Sequence, residues 1–479
     1  MTKHSRLSRR GLLKKGAVVG TAVAVAGANP SAGALAEAEA RAHGYAAAHQ
    51  AYAQAPAVVT NRLFKAWISR GTGRNRTTLQ DVRLRPPTGR QVVVRTEATN
   101  LCYSNSALVL GLQDPPPATG AGAAGNSLAA GTTNMALIQG HGGVGIVEAV
   151  GPEVRRVQIG DRVCVSGTPQ CGSCYHCLRG RADVCQLLGR NLPTDFVPIA
   201  EMRDGTPVYA NSHIGGLAEL MVTFEEWVVP IVSKAPAVDL GMVLSCVSVA
   251  GLGATTSGTL VQLRPGSSVA VVGCGPLGLS AVQGARIAGA STIIAIDPVK
   301  ARRDVALKVG ATHVLDPNAE SNVIEKVRSL TAGPTSRAWS GGRDAGGRRS
   351  GAGADLVVEA AGVELATPRV ERGPDPTGIL PVQQAYEMAS SGGDVITTGL
   401  IRGTITLPAF LFAIGGVSHH GGQAGGANPM RDIPRFVEML HSGRYDTKPM
   451  VTRTVPLADM LSAYEEVIYR QVVTTIMTA

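Results

Sequence analysis

Half of the eight cysteines in this chain lie in one short stretch, and their spacing suits metal binding. They are Cys171, Cys174, Cys177 and Cys185. Two-residue gaps let a loop turn its thiolates toward one point, and four thiolates that converge tetrahedrally form a closed, structural zinc site. Two disulfides are the alternative, although disulfide frameworks belong mainly to small domains that lack a large core. We therefore predict a structural zinc lobe.

A second pattern suits a phosphate-bearing ligand. Gly273, Gly275 and Gly278 form G-x-G-x-x-G directly after an apolar run, and Asp297 ends the next apolar run. Such glycines permit a tight turn and let the backbone approach a pyrophosphate at a helix N-terminus, while the acid binds ribose hydroxyls. A turn without a ligand is the alternative, but the position between a strand and a helix favours a dinucleotide site.

The elements that must position these groups change character along the chain. The 479 residues predict two or three domains, and a hydrophobic content of 44% predicts a sizeable core. From residue 62 short alternating runs predict a β-rich domain, and from about residue 265 strands alternate with helices. Stretches rich in Pro, Gly, Ser or Arg, at 113–134 and 333–353, predict exposed insertions.

Three further motifs are Cys102-Tyr-Ser-Asn, Gly140-His-Gly-Gly-Val-Gly and Cys246-Val-Ser-Val-Ala-Gly-Leu-Gly. They resemble motifs of the zinc-containing, medium-chain alcohol dehydrogenase family. At these places the family has C-x-[ST]-D, G-H-E-x-x-G and C-x-x-x-T-G-x-G. The cysteine lobe, C-G-x-C-x-x-C with a fourth Cys, is also similar to that of the family. The resemblance covers nearly everything from Arg62 to the C-terminus.

The resemblance implies a fold and a division into domains. The fold is α/β, with a GroES-like β-rich catalytic domain that carries the zinc lobe. A Rossmann domain with a doubly wound parallel sheet binds the dinucleotide. The catalytic domain would comprise residues 62–247 and 423–479, and the Rossmann domain residues 248–422. Residues 41–61 would be a linker.

The resemblance also implies an activity, that of a zinc-dependent, NAD(P)-linked oxidoreductase similar to alcohol dehydrogenases. Cys102, His141 and Cys246 would hold a catalytic zinc, because two thiolates and one imidazole leave a fourth position for water or substrate. Hydride would pass between a zinc-bound alcohol or its aldehyde and NAD. Ser104 would accept the hydroxyl proton, although a local backbone hydrogen bond is an alternative role. Two zinc ions per chain and a homodimer or homotetramer are implied as well.

Asp297 favours NAD over NADP, because a carboxylate repels a 2′-phosphate. We predict further cofactor contacts for Arg302 and Arg431. NADP stays an alternative, because an arginine close to Asp297 could pair with the phosphate.

Three positions depart from the family pattern. Asn105 replaces the acid after the first ligand, Gly142 the glutamate after the histidine, and Ala250 a cofactor-side threonine. Carboxylates that hydrogen-bond to zinc ligands orient them and raise their basicity. We therefore expect weaker metal affinity or a different set of supporting hydrogen bonds. The changes favour one alternative function, a non-catalytic zinc- and dinucleotide-binding protein that retains the dehydrogenase fold.

The N-terminal segment predicts export. The formal charge is +10, but six basic residues precede the first acid, Glu37, so the remaining excess does not suggest nucleic-acid binding. The residues from Ser8 to Lys14 resemble a twin-arginine signal, and the apolar run at 17–28 is too short to span a membrane. Residues 1–40 would therefore direct the folded protein through the twin-arginine translocase to the periplasm, cell surface or medium, without a membrane anchor.

Replacing Arg9 and Arg10 by lysine tests this interpretation. Because the translocase recognises the arginine pair, the double variant should stay in the cytoplasm while the parent protein leaves it. Immunoblots of cytoplasmic and exported fractions measure the partition. Equal export of both proteins would show that the segment is not a twin-arginine signal.

Overall fold

The computed structural model describes residues 61–71, 74–110, 135–189, 197–332, 352–401 and 403–479. The predicted signal peptide, nearly all of the predicted linker and most of the insertions at 113–134 and 333–353 lie outside these ranges. The described ranges contain all eight cysteines and every residue predicted to bind metal or cofactor.

Within these ranges the chain forms eighteen strands. In chain order they are β1 (Leu63–Ser69), β2 (Thr77–Leu84), β3 (Gln91–Asn100), β4 (Ala136–Ile138), β5 (Gly143–Val150), β6 (Arg162–Val165), β7 (Ala200–Glu201), β8 (Pro207–Ala210), β9 (Leu220–Phe224), β10 (Val228–Pro230), β11 (Ser268–Val272), β12 (Thr292–Ile296), β13 (His313–Leu315), β14 (Ala354–Glu359), β15 (Ala389–Thr397), β16 (Ser418–Gly421), β17 (Val451–Pro456) and β18 (Thr474–Thr478).

Eleven α-helices lie in the same described ranges. They are α1 (Tyr103–Leu110), α2 (Tyr175–Leu178), α3 (Ala237–Val243), α4 (Cys246–Thr256), α5 (Pro276–Ile287), α6 (Lys300–Val309), α7 (Val323–Thr331), α8 (Ile379–Met388), α9 (Ala409–Ala413), α10 (Pro429–His441) and α11 (Met460–Ile468). None of these helices is by itself long and apolar enough to cross a membrane. By length and composition only α3 and α4, which meet at a bend of 53°, pass that test as a pair.

Two β-layers come from the first part of the chain and its C-terminal strands. The strands β1, β2, β7, β8 and β4 close in that order into a small barrel. Beside it lies a sheet in the order β10-β6-β5-β3-β18-β17, with β9 also paired to β3. The last strand, β18, pairs antiparallel with β3, so that Ile476 lies opposite Asn100. This pairing brings the C-terminal residues next to Cys102, which follows β3.

A six-stranded sheet comes from residues 268–421, and all of its neighbouring strands are parallel. Its order is β13-β12-β11-β14-β15-β16. All five residues of β11 are buried, as expected for a parallel strand covered by helices on both faces. The order reverses between β11 and β14. In doubly wound sheets the crevice outside the carboxyl ends of the strands at that point binds the ligand.

A close helix contact joins the two halves of the protein. Helix α4 begins at Cys246 and packs along α5, which follows the glycine turn. A Cβ on Gly251 would lie 2.3 Å from the carbonyl oxygen of Leu277, so the two backbones are closer than any larger residue allows. Beside this point Ser280 Oγ lies 2.8 Å from the buried Tyr445 Oη. The contact therefore sets the distance between Cys246 and the glycine turn.

The domain boundaries stay predictions. The parallel sheet ends at Gly421, next to the predicted boundary at 422. The boundary at 247 falls inside α4, and the described residues form one compact unit.

Candidate active site

Cys102, His141 and Cys246 lie far apart in the sequence but meet at one point. Their sulfur and ring-nitrogen atoms lie within 4.8 Å of one another. Cys246 Sγ is 3.5 Å from Cys102 Sγ and 3.1 Å from His141 Nε2. Tetrahedral coordination with Zn–S bonds of about 2.3 Å separates two sulfurs by roughly 3.8 Å. The observed separations are therefore close to those that one zinc ion requires.

Three separate elements position these side chains. Cys102 follows β3, His141 lies in the turn between β4 and β5, and Cys246 is the first residue of α4. Ser245 caps that helix, because its side chain accepts a hydrogen bond from the amide of Ser248. The N-terminus of a helix carries a partial positive charge, which favours negative charge on the Cys246 sulfur.

The electrostatics of this group suit a cation. A hydrogen bond from Cys246 holds the pKa of Cys102 well below its usual value, although burial opposes this shift. The same hydrogen bond and burial raise the pKa of Cys246 well above its usual value. Burial lowers the pKa of His141, but the negative charge of Cys102 and a hydrogen bond with it together outweigh that effect and raise the pKa. Because the Cys102 thiolate opposes ionisation of Cys246, a second thiolate here needs a positive partner, and a sulfur and imidazole donor set suits zinc.

Ser104 lies beside this group. Its Oγ is 3.2 Å from Cys102 Sγ, and the residue lines the same cleft as the three metal-binding side chains. The hydroxyl is thus available to a substrate in that cleft as well as to the neighbouring sulfur.

Neither of the two positions at which the family has acids offers a carboxylate to the metal-binding group. Asn105 is buried, and its Oδ1 has no hydrogen-bond partner among the described residues. The carbonyl oxygen of Gly142 accepts a hydrogen bond from Thr99 Oγ1. Among the described residues that line the cleft the acids are Asp297, Glu364 and Asp375. All three come from the part of the chain that carries the parallel sheet.

The four lobe cysteines meet at a second point. Their sulfurs lie within 4.8 Å of one another, with 3.9 Å between Cys171 and Cys177 and 4.0 Å between Cys174 and Cys185. A disulfide would bring two sulfurs to about 2.05 Å. All eight cysteines are free, so the disulfide alternative does not hold.

Backbone amides support negative charge in the lobe. The amide of Cys174 donates to Cys171 Sγ over 3.3 Å, and the amide of Cys177 donates to Cys174 Sγ over 3.5 Å. Although burial opposes the shift, the backbone N–H groups of Gln186 and Cys177 lower the pKa of Cys174 to about 6. None of the four cysteines is among the described residues that line the cleft. Four converging thiolates away from the cleft fit a structural zinc ion.

A cleft of about 370 Å³ runs from the metal-binding group to the glycine turn. It lies outside the carboxyl ends of β11, β12 and β14, where the strand order reverses. Its lining at the turn includes Gly273, Gly275, Asp297 and Arg302. The groups predicted to bind metal and those predicted to bind a dinucleotide therefore share one cavity.

The glycine turn has the geometry that a pyrophosphate needs. Gly273 has φ of +91°, and a Cβ on Gly278 would lie 1.8 Å from the carbonyl oxygen of Gly273. Gly278 itself packs inside the turn and does not line the cleft. Gly275 caps α5, and a Cβ there would meet no described atom within 4 Å. The backbone at Gly275 is therefore open to a ligand in the cleft at a helix N-terminus, which attracts anions.

Asp297 and Arg302 fit the remaining parts of a dinucleotide. The Asp297 carboxylate accepts hydrogen bonds of 2.7 Å from the amides of Cys274 and Val299, and each oxygen keeps a second lone pair for a ribose hydroxyl. The Nε of Arg302 is buried and has no hydrogen-bond partner in the described part of the chain. Its Nη2 donates to the carbonyl oxygens of Arg470 and Val472 over 3.5 and 3.4 Å, and the residue lines the cleft, so its positive charge suits an anionic ligand there.

Comparison with known proteins agrees with this geometry. A family model described as the alcohol dehydrogenase GroES-like domain matches residues 88–233, and one described as zinc-binding dehydrogenase matches residues 276–371. Alcohol dehydrogenase B of Mycobacterium tuberculosis is 28% identical over 397 residues, which are 81% of this chain and 92% of the relative. The NDMA-dependent alcohol dehydrogenase of Amycolatopsis methanolica is 27% identical over 395 residues, 81% of this chain and 91% of that enzyme.

Both family models and these relatives support the zinc-containing, medium-chain dehydrogenase family for this chain. It is a zinc-dependent oxidoreductase of the alcohol dehydrogenase type, with zinc and NAD(P) as cofactors. The crystal structure of benzyl alcohol dehydrogenase from Acinetobacter calcoaceticus has the same fold, with a TM-score of 0.67 at 22% identity over 87% of this chain and 99% of that one. The predicted GroES-like and Rossmann architecture is thus confirmed.

One residue that was predicted to contact the cofactor does not line the cleft. Arg431, in α10, is not among the described residues that line the cleft. Its Nη2 donates to Ser257, Thr259 and Asp432, and its Nε donates to Asp432 as well. The guanidinium therefore joins α10 to the end of α4 and is not available to a dinucleotide.

Two residues that line the cleft were not predicted from the sequence. Glu364 and Arg470 face the cleft from opposite halves of the protein and form an ion pair of 3.4 Å. The only sequence signal for the first was the long segment without regular structure between β14 and α8, since loops of that length are often functional.

Two serine variants separate the roles of the two cysteine groups. Cys102→Ser should reduce turnover more than ~100-fold with little change in unfolding midpoint, because the loss concerns a ligand that faces the cleft. Cys174→Ser should destabilise the protein by about 3 kcal/mol or more, because a structural zinc contributes roughly 10 kcal/mol of folding free energy. Zinc content, turnover and thermal unfolding of each variant measure the difference. Equal loss of folding in both would contradict separate roles.

Proposed function

We propose that this chain is an exported alcohol or aldehyde oxidoreductase that binds two zinc ions and keeps its NAD bound between turnovers. The observation that carries the proposal is the shared cleft, which is lined by the three metal-binding side chains at one end and by the glycine turn at the other. Cys102, His141 and Cys246 would bind the catalytic zinc, and the four lobe cysteines would bind the structural one.

The residues of the chain supply binding, orientation and proton transfer. Zinc, when bound, supplies a Lewis acid for a hydroxyl or carbonyl oxygen. The nicotinamide supplies hydride acceptance or donation. Ser104, next to Cys102, takes the proton that an alcohol loses on oxidation and returns it in the reverse direction. Apolar residues such as Val249 and Val467 share the lining of the cleft and exclude water from the reacting groups.

NAD is the proposed dinucleotide. The Asp297 carboxylate is buried and held by two backbone amides, so it cannot turn away from a ribose at the end of β12. A fixed negative charge there disfavours a 2′-phosphate. Arg303 is not free to pair with such a phosphate. Its Nη2 pairs with Asp316 at 3.1 Å, and its Nη1 donates to the carbonyl oxygens of Asp297 and Pro298.

Export makes retention of the cofactor necessary. Free NAD is a cytoplasmic pool, so an exported dehydrogenase that released NAD at each turnover would stop. A protein that folds around NAD before export and recycles it in place avoids this, either by dismutating an aldehyde or by passing electrons to an external acceptor. The Amycolatopsis relative, named as NDMA-dependent, supports the second route.

A non-catalytic binding protein is the less favoured function. It would need no open metal position beside a dinucleotide cleft, whereas three donors and Ser104 line that cleft here. Asn105 and Gly142 remove the carboxylates that the family has beside the metal ligands. The ligand atoms of Cys102, His141 and Cys246 still lie within 4.8 Å of one another.

The bound cofactor can be measured directly. Protein purified from the exported fraction without added nucleotide should release close to one NAD per chain when it is denatured, because slow dissociation preserves the complex. Mass spectrometry of the supernatant identifies and counts the dinucleotide, with the Arg9/Arg10 lysine variant from the cytoplasm as the control. Folded, zinc-replete protein without nucleotide would refute retention, and released NADP would refute the choice of NAD.

We also propose that the enzyme is a homodimer or homotetramer built through β16. In the described part of the chain β16 pairs only with β15, so its outer edge is open, and open edges invite pairing with another chain. Phe410, Phe412 and Ile414 on the adjacent segment are 56%, 43% and 50% exposed. Two copies related by a twofold axis would cover both features at once.

Light scattering after gel filtration tests this assembly. The parent protein should elute as a dimer or larger, and the double variant Phe410→Ser, Phe412→Ser should shift toward monomer. Val232→Ser is the matched control, because Val232 is 80% exposed elsewhere on the surface. A monomeric parent at micromolar concentration would contradict the proposal.

A further inference from the structure

A long loop leaves the parallel sheet and closes on itself. Residues 362–378 connect β14 to α8 without helix or strand, and we call them the crossing loop. Gly362 and Gly378 have φ of +62° and +78°, and a Cβ on Gly378 would lie 2.8 Å from the carbonyl carbon of Gly362. Close to these two ends, the amide of Glu364 donates to the carbonyl of Pro376 over 2.7 Å. A compact loop with adjacent ends and a glycine at each end can move as one body.

The tip of the crossing loop rests on the catalytic domain. Leu365 and Ala366 pack against an apolar cluster that includes α11. The amide of Leu365 donates to Tyr103 Oη over 2.9 Å, one residue from the metal-binding Cys102. The amide of Arg369 donates to the Tyr469 carbonyl over 3.0 Å, and its guanidinium lies 3.8 Å from the centre of the Tyr469 ring. The tip is therefore held by the opposite half of the protein.

The loop then returns to the Rossmann domain beside the ribose end of the cleft. The carbonyl of Arg372 accepts a hydrogen bond of 2.8 Å from Asn318 Nδ2, and Gly373 lies next to Pro298. The loop residues that line the cleft are Gly362, Val363, Glu364, Leu365, Gly373, Pro374 and Asp375. The crossing loop thus forms part of the cleft wall from the metal end to Asp297.

Glu364 links the crossing loop to the catalytic domain. Its side chain is only 5% exposed. One carboxylate oxygen accepts from Arg372 Nε at 2.7 Å, across the loop, and the other lies 3.4 Å from Arg470 Nη1, in the catalytic domain. Separating a buried carboxylate from either of two guanidiniums costs free energy, because the separation leaves charges without a partner. The contact therefore resists movement of the loop away from the cleft.

We propose that the crossing loop retains the dinucleotide and that Glu364 is the positioning residue that keeps the loop closed. The inference rests on the proposed retention of NAD and names the part of the chain responsible for it. A bound dinucleotide leaves only after Glu364 has separated from Arg470 and the tip has left Tyr103 and Tyr469. The ion pair contributes to the barrier for dissociation, so its loss acts mainly on the off-rate.

The off-rate of NADH from the holoenzyme tests the proposal. Protein loaded with NADH is mixed with a large excess of NAD, and the loss of bound-NADH fluorescence gives the rate. Glu364→Gln should release NADH about 10- to 100-fold faster than the parent, as expected for the loss of a charge-assisted hydrogen bond. Arg372→Gln should also accelerate release, but by a smaller factor, because the pair of Glu364 with Arg470 remains. The double variant should be little faster than Glu364→Gln, because that change already removes the contact with Arg372.

Glu371→Gln is the matched control. It makes the same chemical change in the same loop, but Glu371 is exposed and does not line the cleft, so the off-rate should equal that of the parent. Arg372 is half-exposed, so its variant should fold even if the Glu364 variant does not. The unfolding midpoint of the cofactor-free protein should be unchanged in the Arg372 variant, which separates retention from stability.

The outcomes distinguish this inference from the proposal on which it rests. A parent protein that releases NADH rapidly would refute retention itself. A parent that retains NADH, with off-rates unchanged in both Glu364→Gln and Arg372→Gln, would leave retention standing and refute the role of the crossing loop. Accelerated release in Glu371→Gln to the same degree would also refute the specific role of Glu364.

Discussion

The contact between α4 and α5 is the constraint on which the site depends. One helix starts at the metal-binding Cys246 and the other at the glycine turn, so their packing determines how far the metal end lies from the dinucleotide end. Gly251 permits that approach, since any Cβ would overlap the backbone of α5. The buried hydroxyls of Ser248, Ser280 and Tyr445 then hold the two helices in one register. Hydride transfer depends on the placement of reacting groups, and this contact decides that placement.

The metal end combines strong donors with neutral support. Two cysteines and one histidine converge from three elements, but the positions where the family has acids hold Asn105 and Gly142. A carboxylate next to a ligand lends it negative charge. Neither position offers a carboxylate here, so we expect a zinc ion at this site to be held more weakly than in the family pattern.

The cleft is enclosed by more than the two domains. The crossing loop begins and ends in the Rossmann domain, yet its tip packs on the catalytic domain beside Tyr103 and Tyr469. For the cleft to open, the loop must either leave the catalytic domain or change its conformation as the two domains move apart. The proposed export signal and the proposed role of this loop would serve the same need, which is a cofactor that travels with its protein.

The sequence by itself determined which local sites exist. Four cysteines within one loop meet because short gaps leave them few other arrangements, and G-x-G-x-x-G between a strand and a helix encodes its own turn. Resemblance to the family paired Cys102, His141 and Cys246, but their separations came only from the packing of β3, the turn before β5 and α4. Arg431 was expected at the cleft and Glu364 was not, and both differences have one reason. Whether a charged side chain meets a ligand, a neighbouring helix or the opposite domain depends on residues more than a hundred positions away, and no local pattern records those contacts.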